Sequence, residues 1–150
     1  MRTVIQRVKH ASVEIDGNVH GSIAQGYMIL VGIQNEDTPA IVAKMAAKIS
    51  NMRIFEDENG KMNLNIHQIG GKILSISQFT LYADCRKGNR PSFVNAGDPA
   101  HAKEMYLLFN EECRKFGLEV EEGIFGADMK VSLLNDGPVT IVLDSERDIH

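Results

Sequence analysis

The sequence predicts an α+β fold: a β-rich body, either two sheets or a barrel-like sheet, with two flanking helices. Three observations predict it. Short alternating apolar segments recur along the chain at hairpin spacing, bounded by Gly, Asn and Asp. Two stretches with helical periodicity each open on a capping residue followed by proline. The longest apolar run, Tyr27 to Ile33, has the length of a strand and not of a helix. At 150 residues the chain fits one domain, 1–150, with a substantial core.

In order, residues 4–15 alternate loosely, with Val8, Val13 and Ile15 facing inward. Asp16-Gly17-Asn18 supplies the turn chemistry of a tight hairpin, and 19–23 returns. From Gly26 the run YMILVGI reads as a strand covered on both faces. Asp37 or Thr38 caps a helix with Pro39 in its first turn. Ile41, Met45, Ile49 and Met52 form its apolar stripe, which is packing and not a cofactor box. Arg53-Ile54-Phe55 and 62–66 pair across Asn59-Gly60. A strand follows Gly70-Gly71. Asp98-Pro99 opens a second helix, which Gly117 stops near Phe116; Cys113 lies on its apolar side as a small buried hydrophobe. The last third is β again, around 118–120, 129–133 and 139–143. The count is about seven to nine strands against two helices.

Composition limits the function classes. The formal net charge of −4 argues against a surface built for duplex DNA. No apolar run approaches the ~20 residues that cross a bilayer, so no membrane role is expected. The N-terminus lacks signal-peptide order. Cys85 and Cys113 have no CxxC spacing, which fits a reduced, cytoplasmic setting. The five histidines show no ligand spacing, and neither a metal nor a cofactor is expected.

Two stretches are chemically over-specified. In the first, Ser75 to Asp84, the quartet Ser77-Gln78-Phe79-Thr80 interrupts a buried apolar run. Buried hydroxyls and amides need partners, so the quartet either bonds neighbouring strands or forms the floor of a site. A basic loop follows it, with Arg86, Lys87 and Arg90, and is either a solvated surface or a rim for an anion. The second stretch is Asn135-Asp136-Gly137-Pro138-Val139-Thr140. By composition it is a hairpin corner with Thr140 in the returning strand. Its Gly-Pro bond also permits a cis peptide, which turns neighbouring carbonyls to one side as rigid acceptors.

Thr80 is a conceivable nucleophile, yet no base is indicated by spacing; Asp84, His67 and His101 are the candidates. GxSxG, P-loop and GxGxxG patterns are absent. Hydrolysis here would act on an already activated bond through backbone donors, each worth about 2.7–4 kcal/mol at an oxyanion.

Together, Ser77-Gln78-Phe79-Thr80 and Asn135 to Thr140 resemble the SQxxT and NxGPxT pair of the D-aminoacyl-tRNA deacylases. The likeness is end to end: it includes Arg7-Val8, Ala11-Ser12-Val13, KGNRPSF from Lys87 to Phe93, and Phe125-Gly126-Ala127. The resemblance implies a homodimer whose active sites lie at the subunit interface. It assigns Ser77, Gln78, Phe79 and Thr80 to the pocket for the aminoacylated 3′ adenosine of tRNA. It makes Gly137 and Pro138 a cis gate reaching across from the partner to exclude L side chains. The Val139-Thr140 ending fits the D-specific branch better than the branch with a trans Gly-Pro bond. Arg86, Lys87 and Arg90 become candidates for tRNA phosphates, and Arg7 a brace for the Gly-Pro turn. The implied reaction is hydrolysis of D-aminoacyl-tRNA, with glycyl-tRNA as a second substrate and the RNA's own 2′-hydroxyl assisting, so that Thr80 is not an essential nucleophile. Two alternatives stand beside it: a non-catalytic dimer that binds an RNA 3′ end or a nucleotide, and a Thr80-dependent esterase of small molecules.

Overall fold

The computed structural model describes residues 1–150. Eight strands and two long helices form it: β1 (Arg2–Ile15), β2 (Asn18–Ile23), β3 (Gly26–Gly32), α1 (Pro39–Asn51), β4 (Phe55–Glu56), β5 (Met62–Leu64), β6 (Lys72–Ser77), α2 (Pro99–Lys115), β7 (Val120–Glu122) and β8 (Lys130–Asp144). A short helix unforeseen in the sequence, α3 (Ser145–Asp148), ends the chain. Its Asp144 cap accepts from the Glu146 amide.

The main sheet has six strands, ordered β2-β1-β3-β6-β7 with β8 along β1, and β4-β5 form a separate hairpin. Strand β1 is antiparallel to β2, β3 and β8, whereas β3-β6 and β6-β7 are parallel. Each parallel step needs a long crossover, and α1 and α2 provide the two crossovers. Gly26 makes the β3-β6 step possible, because a Cβ there would collide with the Lys72 backbone. The sheet curls until β2 meets β7, where the His20 ring Nδ1 and the Glu122 carbonyl lie 2.9 Å apart. The result is a nearly closed barrel.

Strand alternation divides the core into two layers. Met28, Leu74 and Ile76 point into the barrel with Val8, Ala11, Val13 and Ile23. Tyr27, Ile29, Val31 and Ile73 point outward, under α1 and α2. The α1 stripe falls on Val42, Met45, Ala46 and Ile49; Ile41 and Met52 flank it half-buried. Thr38 is the cap, its hydroxyl accepting from the Ile41 amide at 3.3 Å. Cys113 is fully buried on α2, and burial pushes its thiol up to about 12. The Met1 ammonium is buried against the Asp37 carboxylate and the Ser145 hydroxyl, which joins the start of β1 to the turn before α1 and to the first residue of α3.

Candidate active site

Strand β6 ends at Ser77, and the chain then turns into a 3-10 turn, Phe79–Tyr82. Gln78 makes the change: its amide still donates to the Val31 carbonyl at 2.8 Å, so the end of β6 stays tied to β3. The Gln78 side chain then bends forward, its Nε2 donating to the Thr80 hydroxyl at 2.5 Å. Phe79 remains 53% exposed and meets Phe93 edge to face, with ring centroids 5.0 Å apart. Phe79 is thus an open aromatic at the turn and not a core residue.

Beside this turn lies a cavity of about 730 Å3. Ser77, Gln78 and Phe79 form one wall. Phe93 and Val94 form another, Phe125-Gly126-Ala127 and Met129 face them, and Pro99 and Ala102 close the end at the start of α2. Three residues of the quartet, Ser77, Gln78 and Phe79, thus border a cavity, and Thr80 does not. The cavity is mostly apolar, with Ser77 and Gln78 on one wall, Asp98 at the α2 end and Asp128 in the opposite wall, the mixture usual in a small-molecule pocket. Sequence reasoning placed the quartet here but missed the Phe93-Val94 and Met129 walls. An exposed Phe-Val pair straight after a basic loop was the available signal.

Thr80 lies outside the cavity wall, and the only hydrogen-bond partner of its hydroxyl is the Gln78 side-chain amide. None of the three candidate bases is bonded to it. His67 Nε2 sits 2.6 Å from the Ser50 hydroxyl at the end of α1. Asp84 is held by Arg86, with Nε–Oδ1 at 2.9 Å and Nη2–Oδ2 at 2.6 Å. His101 makes no hydrogen bond to it. A threonine hydroxyl without a base is a poor nucleophile at neutral pH.

The basic loop is a small arm closed by a two-bond bridge, Asp84 N to Ser92 O at 2.7 Å and Ser92 N to Asp84 O at 2.9 Å. The Arg86 guanidinium and its backbone N–H hold the Asp84 carboxyl down to about 2. Of the three cations, Arg86 is thus already paired, while Lys87 and Arg90 stand exposed without an ion pair.

The second motif departs from the hairpin-corner expectation. Strand β8 runs through it without reversing, antiparallel to β1 on both sides. Thr140 pairs with Gln6 and Asn135 with Val8, so Asp136 to Val139 stand as a bulge opposite Arg7 alone. Bulges of this kind re-aim a strand without ending it. Gly137 supplies the φ of 126° that the bulge needs, and the Gly137–Pro138 bond is cis. Both residues are exposed.

Arg7 is 4% exposed beneath the bulge. Its Nε donates to the Asp136 carbonyl at 3.0 Å and its Nη1 to the Ile54 carbonyl at 2.7 Å. The Asp136 carboxylate lies 3.6 Å from Nε and that of Glu56 4.0 Å from Nη2. The Thr140 hydroxyl donates to Gln6 Oε1 at 2.7 Å. The bulge is therefore clamped from below by Arg7 and at its end by Gln6.

Within one chain the two motifs do not meet, because β1 and β3 lie between β8 and β6. A depression of about 330 Å3 beside the bulge is lined by Arg7, Lys9, Glu56, Asp57 and Asp136. Another, of about 540 Å3, lies between α1 and the chain end, against Lys44, Lys48 and His150. Neither touches the quartet.

The family model described as D-Tyr-tRNA(Tyr) deacylase matches residues 4–144, which include both motifs. The chain belongs to the D-Tyr-tRNA(Tyr) deacylase family. A D-aminoacyl-tRNA deacylase of Bacillus cytotoxicus is 59% identical over 97% of this chain and 100% of its own length. That of Bifidobacterium animalis is 56% identical over 97% and 98%. Among solved structures, the c-Myc DNA unwinding element binding protein superposes with a TM-score of 0.89 at 42% identity, over 96% of this chain and 98% of the other. A probable eukaryotic D-amino acid tRNA deacylase gives 0.84 at 14% identity over 95% and 97%, a likeness of fold alone.

Proposed function

We propose that this chain, as one domain in the cytoplasm, hydrolyses the ester between a D-amino acid and the 3′ adenosine of tRNA. The single observation that carries the reading is membership of the deacylase family with both motifs intact. In the reaction a water oxygen bonds to the ester carbonyl carbon and the carbonyl–O3′ bond breaks. The ribose oxygen leaves with the proton, releasing free tRNA and the amino acid. An aminoacyl ester is already activated, so positioning and backbone donors suffice without a side-chain base.

In this reading Ser77, Gln78, Phe79 and Thr80 line the pocket for the aminoacyl adenosine, and Lys87 and Arg90, with Arg86 beside them, approach tRNA phosphates. Gly137 and Pro138 of a second copy close the pocket and exclude an L side chain, while a D side chain or the hydrogen of glycine passes. Two features support the cross-subunit arrangement. The motifs are two strands apart in one chain. Strand β8 pairs only with β1 and carries Leu134 and Val142 at 50% and 47% exposure, a long edge of the kind that proteins normally cover.

The deciding experiment is hydrolysis of D-tyrosyl-tRNA, L-tyrosyl-tRNA and glycyl-tRNA side by side. Loss of the D and glycyl esters with the L ester intact is expected. Equal cleavage of D and L esters removes the Gly137-Pro138 gate and restores Thr80 chemistry. A rival is favoured by the DNA-binding name of the 42% identical structure, namely a non-catalytic nucleic-acid-binding dimer. It predicts saturable, salt-sensitive tRNA binding with no release of amino acid.

A further inference from the structure

The cavity exists because two parallel strands part company. Strands β6 and β7 pair at only three positions, Ile73–Val120, Leu74–Glu121 and Ser75–Glu122. Beyond Ser75, β6 continues as Ile76 and Ser77 with β3 alone. The chain after β7 swings off through Gly123 and returns as the opposite wall, Phe125 to Met129. The site thus occupies the crevice at the carboxyl ends of parallel strands, where open α/β sheets place their ligands.

The point of divergence is held by one face of α2. Ala102, Tyr106, Asn110 and Arg114 follow at intervals of four, a single stripe on a helix. Ala102 lines the cavity itself. One turn on, the Tyr106 hydroxyl, at 1% exposure, donates to the Ser75 carbonyl at 2.7 Å. That carbonyl also accepts from the Gly123 amide at 3.3 Å, so it is the atom at which the two strands fork. Asn110 Nδ2 donates to Glu122 Oε2 at 2.8 Å. Arg114 Nη2 donates to the Val120 carbonyl at 2.8 Å and to Glu122 Oε2 at 3.3 Å. One prong of the fork is therefore bonded to Tyr106 and the other to Asn110 and Arg114.

We propose that Tyr106, seconded by Asn110, is a positioning residue for this site: it fixes where β6 and β7 separate, and so aims Ser77 and Gln78 and sets the cavity width. A purely apolar ring would fill the same space between helix and sheet. Only the hydroxyl ties the α2 register to the last two-sided residue of β6, two positions before the floor of the site. The inference rests on reading Ser77 to Thr80 as the site of ester hydrolysis.

Tyr106→Phe tests it, since the change removes one oxygen and keeps the packing. The backbone amides of Ser77 and Gln78 should exchange hydrogen at least several-fold faster, while those of β1 stay unchanged. With D-tyrosyl-tRNA, kcat should fall about 10-fold with KM within two-fold, as expected when reacting groups are misaimed and binding surface is kept. Asn110→Ala should show the same pattern more weakly, and takes over if Tyr106→Phe does not fold. Unchanged exchange at 77–78 overturns the proposal, as does an unchanged kcat, whatever happens to the melting temperature. If the wild-type protein cleaves no ester, the proposed function fails on its own, and the exchange result still decides whether Tyr106 holds the fork.

Discussion

Replacing Arg7 by Met keeps most of the side-chain length under the bulge and deletes the charge. Two charge-assisted hydrogen bonds disappear, to the carbonyls of Asp136 and Ile54. Each such bond is worth about 1.5–3 kcal/mol, which sets an upper figure of about 3–6 kcal/mol. Two effects reduce it. A guanidinium no longer has to be desolvated. The carboxylates of Glu56 and Asp136 are 61% and 26% exposed and lose only screened pairings. The Asp136 carboxylate also keeps Lys9 at 3.5 Å. The net expectation is a loss of about 2–4 kcal/mol. In urea, with a slope of about 1–3 kcal/mol per M, the midpoint should fall by roughly 1–2 M. The same variant should lose discrimination between D- and L-tyrosyl-tRNA, because the Asp136 carbonyl next to Gly137 is no longer anchored. A midpoint within a few tenths of a molar of wild type would refute the argument that Arg7 holds the bulge.

Other consequences follow from the same geometry. Thr80→Ala removes a hydroxyl bonded only to Gln78, so D-ester turnover should persist within about 10-fold; complete loss with intact tRNA binding would make Thr80 the nucleophile. Asp84 should titrate near 2 by carboxyl NMR and return towards about 3.9 in Arg86→Ala. Its folded pKa is depressed, so the Arg86 contact persists above the ordinary carboxylate range and is lost as pH falls through about 2; titration near 3.9 in the wild type would contradict the pairing. A thiol reagent should modify exposed Cys85 at once and buried Cys113 only on unfolding. Rapid reaction of both would mean that α2 does not seal the core.

Much of the fold was legible in local pattern. Turn residues at Asp16-Gly17-Asn18 and Asn59-Gly60, the two cap-proline starts and the dense 26–32 strand each act through neighbouring atoms, and each element formed where its signal lies. Asp98 is a partial exception: it stands at the cap of α2, but its side chain makes no cap bond, and its amide takes Asn35 Oδ1 instead. The parallel pairing of β3, β6 and β7 was not legible, because a buried strand reads the same whichever way its neighbours run. The Asn135 to Pro138 stretch was misread for a related reason. Its residues favour a reversal locally, but the β1 ladder on both sides and the Arg7 clamp beneath keep β8 straight and turn the surplus into a bulge.

By itself, then, the sequence determined which stretches stand out chemically: the Ser77–Thr80 quartet, the Gly137-Pro138 pair and the cations after Asp84 are short-range patterns that survive any folding. Only the tertiary structure decided what they form. The cavity arises where β6 and β7 diverge, its far walls come from Phe93-Val94 and from Phe125 to Met129, and Arg86 is claimed by Asp84 while Lys87 and Arg90 stay free. These are consequences of which distant segments pack together, and side-chain spacing along one segment holds no record of its neighbours across the sheet.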